Sequence, residues 1–179
     1  WSQYDGNGNV VINYPHYSAD KIQKKFDEAL AAFDCGKELT RSALFLEKAH
    51  QSFERFPSKS RILIMRCARP WMIHLILKAL IDFRRIKADL LGQEQVAIDF
   101  QSAVNRVYTY GNGFFSTAVL SPTLSAQLRS NKYDFIFLPM ANNHLAGYQN
   151  VLNVAHLVNP KKTFGIYPDG EVRLLNQHF

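Results

Sequence analysis

Arg61–Met72 reads RILIMRCARPWM, and this stretch decides the fold. Ile62, Leu63, Ile64 and Met65 form an apolar run without alternation. That is the pattern of a strand buried on both faces, as in a parallel sheet. Arg66, Cys67, Ala68 and Arg69 follow, and Pro70 opens a helical pattern. Proline suits the first helical position because its φ is already helical and its missing N–H would find no partner there. Strand, tight loop and helix in this order make the first unit of an open α/β fold. Ligands of such sheets bind outside the carboxyl ends of the strands, so the loop marks where function should be sought.

Downstream the pattern alternates. The spacing predicts strands over 61–67, 86–91, 106–110, 133–139 and 162–167, and helices near 70–83, 94–103, 121–129 and 144–158. Ser121 as N-cap with Pro122 behind it starts the third of these helices. Pro168-Asp169-Gly170 is a turn, with Asp satisfying backbone and Gly supplying positive φ, before a last short strand, Val172–Leu175. Strands alternating with helices imply a parallel sheet. The expected fold is α/β: a three-layer Rossmann-like or flavodoxin-like sandwich with a mostly parallel five-stranded sheet.

Upstream, Trp1–Tyr17 is polar, and Asp5-Gly6-Asn7-Gly8-Asn9 marks a turn or hairpin. Ser18 caps a helical pattern carrying Ile22, Phe26, Leu30 and Phe33, which Asp34-Cys35-Gly36 stops. A second helix is expected over 38–56, with Leu39, Ala43, Leu44, Leu46, Ala49, Phe53 and Phe56 on one side. The two make a helical hairpin. Pro57-Ser58-Lys59-Ser60 then reads as a linker, dividing the chain into a 1–57 segment and a 58–179 α/β domain.

At 179 residues, 47% apolar and 20% charged, the chain fits one globular domain with a helical annex, and its 13 Phe and 8 Tyr argue against disorder. The net charge of +6 permits anionic partners. The cations are scattered along the sequence, with no run of five, and most aromatics fall at core-like spacing, so no nucleic acid is expected as partner. No apolar run approaches the roughly 20 residues that span a bilayer. Cys35 and Cys67 have neither metal-site nor disulfide-framework spacing, which points to a reducing, cytoplasmic setting. A start at Trp1 suggests a piece of a longer chain. The expected partners are the remainder of that parent protein or a small phosphate- or sugar-bearing ligand, and no cofactor is specified.

Two resemblances bear on function. Trp1-x-x-Tyr4-Asp5-Gly6, a short extended piece, Pro15, then Ser18-x-x-x-Ile22-Gln23 and a helix ending near Phe33 is similar to the tail that follows the barrel in B12-binding radical SAM proteins of the magnesium-protoporphyrin cyclase-like type. The triple cysteine that binds the cluster in those proteins is absent, so the resemblance implies a C-terminal piece without the catalytic machinery. Over 61–140, ILIMR, IKADLL, RVYTYGNG and KYDFIFLP resemble the acceptor-side, N-terminal half of GT-B glycosyltransferases of the heptosyltransferase kind. Such enzymes need two domains facing a cleft, and the donor-binding half is missing here. Both resemblances imply a non-catalytic accessory or ligand-binding domain. The alternative is a sugar- or nucleotide-dependent transferase.

The candidate ligand-binding residues all follow strands. Arg66 and Arg69 beside a helix N-terminus suit a phosphate or carboxylate, or are exposed loop residues. Cys67 between them reads as a buried structural thiol. Asn112 lies in Tyr110-Gly111-Asn112-Gly113, which lacks the third glycine of a dinucleotide fingerprint and also reads as a tight turn. Asn142, Asn143 and His144 end the fourth strand, and Tyr148 follows on the next helix. Two amides, an imidazole and a phenol can hydrogen-bond a sugar or nucleotide, while one of the Asn residues doubles as a helix cap. His144 has no carboxylate near it in sequence to orient it as a base. No His pair has zinc-ligand spacing.

Overall fold

The computed structural model describes residues 41–84, 86–94, 98–111, 115–143, 145 and 147–175. The chain divides into two compact units, Trp1–Ser42 and Ala43–Phe179. The expected first helix and the turn at Asp5–Asn9 lie outside the described residues, as does the stretch that resembles the radical SAM tail. In the described part, a helix runs through 41–53 (α1), then β1 (Ile62–Met65), α2 (Pro70–Ala79), β2 (Asp89–Gln93), β3 (Val107–Tyr110), α3 (Pro122–Ser130), β4 (Phe135–Pro139), α4 (Gln149–Val158), β5 (Lys162–Ile166) and β6 (Val172–Leu175). The sheet has six strands in the order β3-β2-β1-β4-β5-β6. The first five are parallel, and β6 returns antiparallel along β5. The α/β fold is therefore as expected, with β6 joining the sheet as a sixth strand.

All four residues of β1 are buried, and they divide by parity. Ile62 and Ile64 face a core built with α1 and α2. Leu63 and Met65 face a second core built with α3 and α4. Phe137 against Ile136 and Leu138 in β4, and Leu90 against Leu91 in β2, divide the same way. A period of two on an unbroken apolar run thus gives a sheet covered on both faces.

Residues 43–56 pack on this sheet, so the expected linker at 57–60 joins two elements of one unit. The inward face of α1 is Phe45, Ala49 and Phe53, at helical spacing, followed by Phe56. Phe53 stacks on Phe137 with ring centroids 5.5 Å apart, and Phe56 meets Phe135 and Phe164 at 5.0 Å. Leu44 and Ala43, expected inside, are exposed, Leu44 by 53%. The helix is rotated toward its phenylalanines because they bury the larger apolar area.

Several boundaries move. β2 begins at Asp89, not at 86, because its pairing with Leu63–Met65 and with Val107–Tyr110 sets the register. Ile86 and Ala88 are buried just ahead of the strand. The helix expected over 94–103 is described only as a 3-10 turn, Ile98–Phe100. The helix expected from 144 begins at Gln149, with Tyr148 as N-cap. Gly147 at φ +85° interrupts the helical path, so neither Asn142 nor Asn143 caps it. Ser121 caps α3 as expected, its hydroxyl accepting from the Leu124 amide at 3.1 Å. Gly170 takes φ +87° in the β5–β6 turn, where a Cβ would lie 2.8 Å from the Cα of Phe45.

Candidate functional site

Chain direction across the sheet reverses between β1 and β4. From β1 the chain moves outward through β2 to β3, then returns by α3 to β4 on the other side of β1. The loops leaving β1 and β4 therefore lead to helices on opposite faces of the sheet, and it is at such a switch point that this class of sheet takes its ligands.

Cys67 ties the two strand ends together. Its thiol lies 3.3 Å from the Met65 carbonyl and 3.2 Å from the Pro139 carbonyl, so it donates between the ends of β1 and β4. Burial pushes this thiol up to about 12, far above the range of a reactive cysteine. The residue is structural, as the sequence suggested. The Arg66 amide donates to the Leu91 carbonyl at 2.8 Å, extending the β1–β2 ladder by one residue.

Across the switch point, the Met140 amide bonds the Ile166 carbonyl at 2.7 Å, and the loop then bends over Tyr148. The Tyr148 hydroxyl accepts from the Ala141 amide at 2.6 Å, and the Tyr148 amide donates to the Leu145 carbonyl at 3.1 Å. Tyr148 thus holds the loop's shape from beneath, buried to 8% exposure. Tyr110, at the end of β3, packs edge-on against Phe115 at 4.8 Å. Burial raises the pKa of both phenols, so both stay protonated at neutral pH.

Arg66 supplies the charge. Its guanidinium is close enough to Tyr110 and Cys67 to favour the ionised form of each against their burial. Its Nε is buried and has no hydrogen-bond partner among the described residues. A buried donor in this state costs about 1–3 kcal/mol, and a native protein carries few of them. Arg69 is the exposed N-cap of α2, with no side-chain cap and no acidic residue in the first turn. Asn142 and Asn143 are exposed on the loop after β4.

Arg66 and Tyr148 therefore share one strand edge, with Arg69 at the α2 N-terminus and the two Asn residues on the β4 loop. His144 and Asn112 lie outside the described residues. Tyr110 and Tyr167 were not among the expected site residues, yet Tyr110 lies within electrostatic reach of Cys67, and Tyr167 of Tyr148. Their signal in the sequence is positional: one closes β3 and the other follows β5 directly.

No family model matches the chain, and no curated protein matches its sequence. Among solved structures it is similar to the crystal structure of TnmH, at 16% identity and a TM-score of 0.42. The match covers 84% of this chain and 43% of that one, so the chain spans less than half the length of TnmH. Among the described residues no helix is long and apolar enough to cross a membrane.

Proposed function

We propose that this chain is an accessory α/β domain that binds a small phosphate- or sugar-bearing ligand over the β1–β4 switch point, without performing chemistry on its own. The observation that carries this reading is the buried Nε of Arg66 at that point, which has no hydrogen-bond partner among the described residues. A phosphate or carboxylate oxygen would satisfy it with a charge-assisted bond. The exposed amides of Asn142 and Asn143 suit the hydroxyls of a sugar. Cys67 is not the nucleophile of such a site, since its proton is held by two carbonyls.

On the sequence resemblances, we assign the domain to the C-terminal part of a larger radical SAM-like protein of the magnesium-protoporphyrin cyclase-like type. The runner-up is a GT-B-like transferase half acting on a sugar or nucleotide. The exposed Asn pair on the β4 loop favours it, because side-chain amides bind the hydroxyls that sugar donors carry.

A thermal-shift screen tests both. The panel is inorganic phosphate, nucleotides, nucleotide sugars, S-adenosylmethionine and cobalamin. At a hundredfold excess over Kd, binding to the native state adds about 2.7 kcal/mol, a rise of roughly 5–10 °C for a domain of this size. The expected hit is lost in Arg66→Met, a variant whose ligand-free stability equals or exceeds the parent's because the orphaned donor is gone. Silence across the panel overturns the binding reading. Turnover of a nucleotide sugar by the chain alone would install the transferase.

A further inference from the structure

The opposite, amino-terminal edge of the sheet carries a feature that the ligand site does not use. Arg61, Lys87, Arg106, Lys132 and Lys161 stand one to three residues before β1, β2, β3, β4 and β5 in turn. All five are exposed. Arg129, in the last turn of α3, joins them. Scattered over 100 residues of sequence, these cations meet on one edge because every parallel strand starts there.

Three clefts lie along that edge. One of about 200 Å³ is lined by Arg61, Lys87 and Arg106 together with Asp89, Asn105, Asn131 and Tyr133. Tyr133 is shared with a cleft of about 550 Å³ that Arg129, Lys132 and Lys161 line. Asn105 and Arg106 are shared with a third, of about 600 Å³, beside β3. Shared walls make these one groove. Six cations and a single carboxylate line it, and that carboxylate is engaged: Asp89 accepts from the Tyr133 hydroxyl at 2.6 Å and from Asn105 at 2.9 Å. Lys161 is paired with Asp134 just behind it, at 2.6 Å. The surplus is four positive charges, out of +6 for the whole chain.

We infer that this groove is a docking site for an extended acidic polypeptide segment. Charge complementarity selects a polyanion. A single-stranded nucleic acid would want exposed aromatic faces for its bases, whereas Tyr108 and Tyr133 are 5% and 2% exposed. A lipid surface would want an apolar rim beside the cations, and among the described residues the large exposed hydrophobics, Leu44 and Leu174, belong to α1 and β6. Neighbouring strands are about 4.8 Å apart, so five strands span about 19 Å. An extended peptide crosses that with about six residues.

The test is fluorescence anisotropy on the whole chain with labelled oligoglutamate peptides of two to ten residues. Competitors are a single-stranded oligonucleotide of equal charge and phosphatidylserine vesicles. Affinity is expected to climb with length to about six Glu and then level off. It should fall at least tenfold in Arg106→Glu/Lys132→Glu and return in Arg106→Lys/Lys132→Arg, with melting temperatures confirming that each variant folds. Equal or tighter binding of the oligonucleotide or the vesicles overturns the inference, as does a reversal variant that binds like the parent. These outcomes are independent of the carboxyl-edge ligand, since Arg66 is untouched.

Discussion

The two edges of one sheet are built to opposite ends. At the carboxyl edge two polar side chains turn inward: the Cys67 thiol and the Tyr148 hydroxyl each serve backbone groups of the loops they hold. At the amino edge they form a side-chain network that faces a charged groove, where Tyr133 joins Asp89 and Asn131 bridges the hydroxyls of Tyr108 and Tyr133. One edge ties its loops to the strand ends and leaves one buried donor, the Arg66 Nε, without a partner among the described residues. The other spreads charge across five strands. The lesson is that the two edges of one open parallel sheet can differ in scale, one closing on its own loops and the other spreading its side chains across every strand.

The contrast can be broken by experiment. If the Cys67 thiol is buried and held between two carbonyls as described, Cys67 in a Cys35→Ser background reacts with a thiol reagent at pH 8 about a thousandfold more slowly than an ordinary cysteine, because its thiolate is that much rarer. Labelling at the rate of a free thiol would unseat it as a structural residue. The paired substitutions Tyr133→Phe and Tyr148→Phe compare the edges directly. Tyr133→Phe strips the Asp89 carboxylate of one of its two donors and should cost roughly 1.5–3 kcal/mol in denaturant melts. Tyr148→Phe removes a neutral acceptor from an amide near solvent and should cost about 1 kcal/mol. A reversed order would mean that the amino-edge network is incidental.

The smallest effect is a pH dependence. The Lys161 ammonium and the Arg61 amide hold the Asp134 carboxyl below the usual carboxylate range. A carboxyl lowered in the folded state contributes stability above its ordinary pKa of 3.8 and loses it as pH falls through the folded value. Asp134→Asn should therefore cost under about 1 kcal/mol at pH 7, and the gap to the parent should close in acid. A gap that persists at low pH would assign Asp134 a role other than this pair.

Much of the architecture was legible because its signals are local. The ILIM run, the Ser121-Pro122 cap and the Pro168-Asp169-Gly170 turn each act within a few residues, and each appears where expected. What was not legible depends on partners distant in sequence. Nothing within IKADLL says that its first three residues precede the strand, because β1 and β3 set that register. Nothing in α1 says that Phe45 points inward and Leu44 outward until Trp71 and Phe137 are in place. The candidate site was found by the strand-end rule, which needs only strand order. Tyr110, Tyr167 and the cationic groove were missed because they assemble only when strands far apart in the chain align.

Gly170 carries a consequence for how the molecule is made. Its bare Cα lies against the backbone of Phe45, and beside it Lys48 reaches Asp169 at 2.7 Å. A helix near the front of the α/β unit is thus latched to the last turn of the sheet, across more than 120 residues of chain. During synthesis, α1 and β1 would emerge long before the turn that locks them. Closing so long a loop is slow compared with forming the local units, so the latch is expected to be a late step in folding. Its absence would leave the phenylalanine face of α1 only half secured, and a chain cut just before β5 is expected to remain loose along that face.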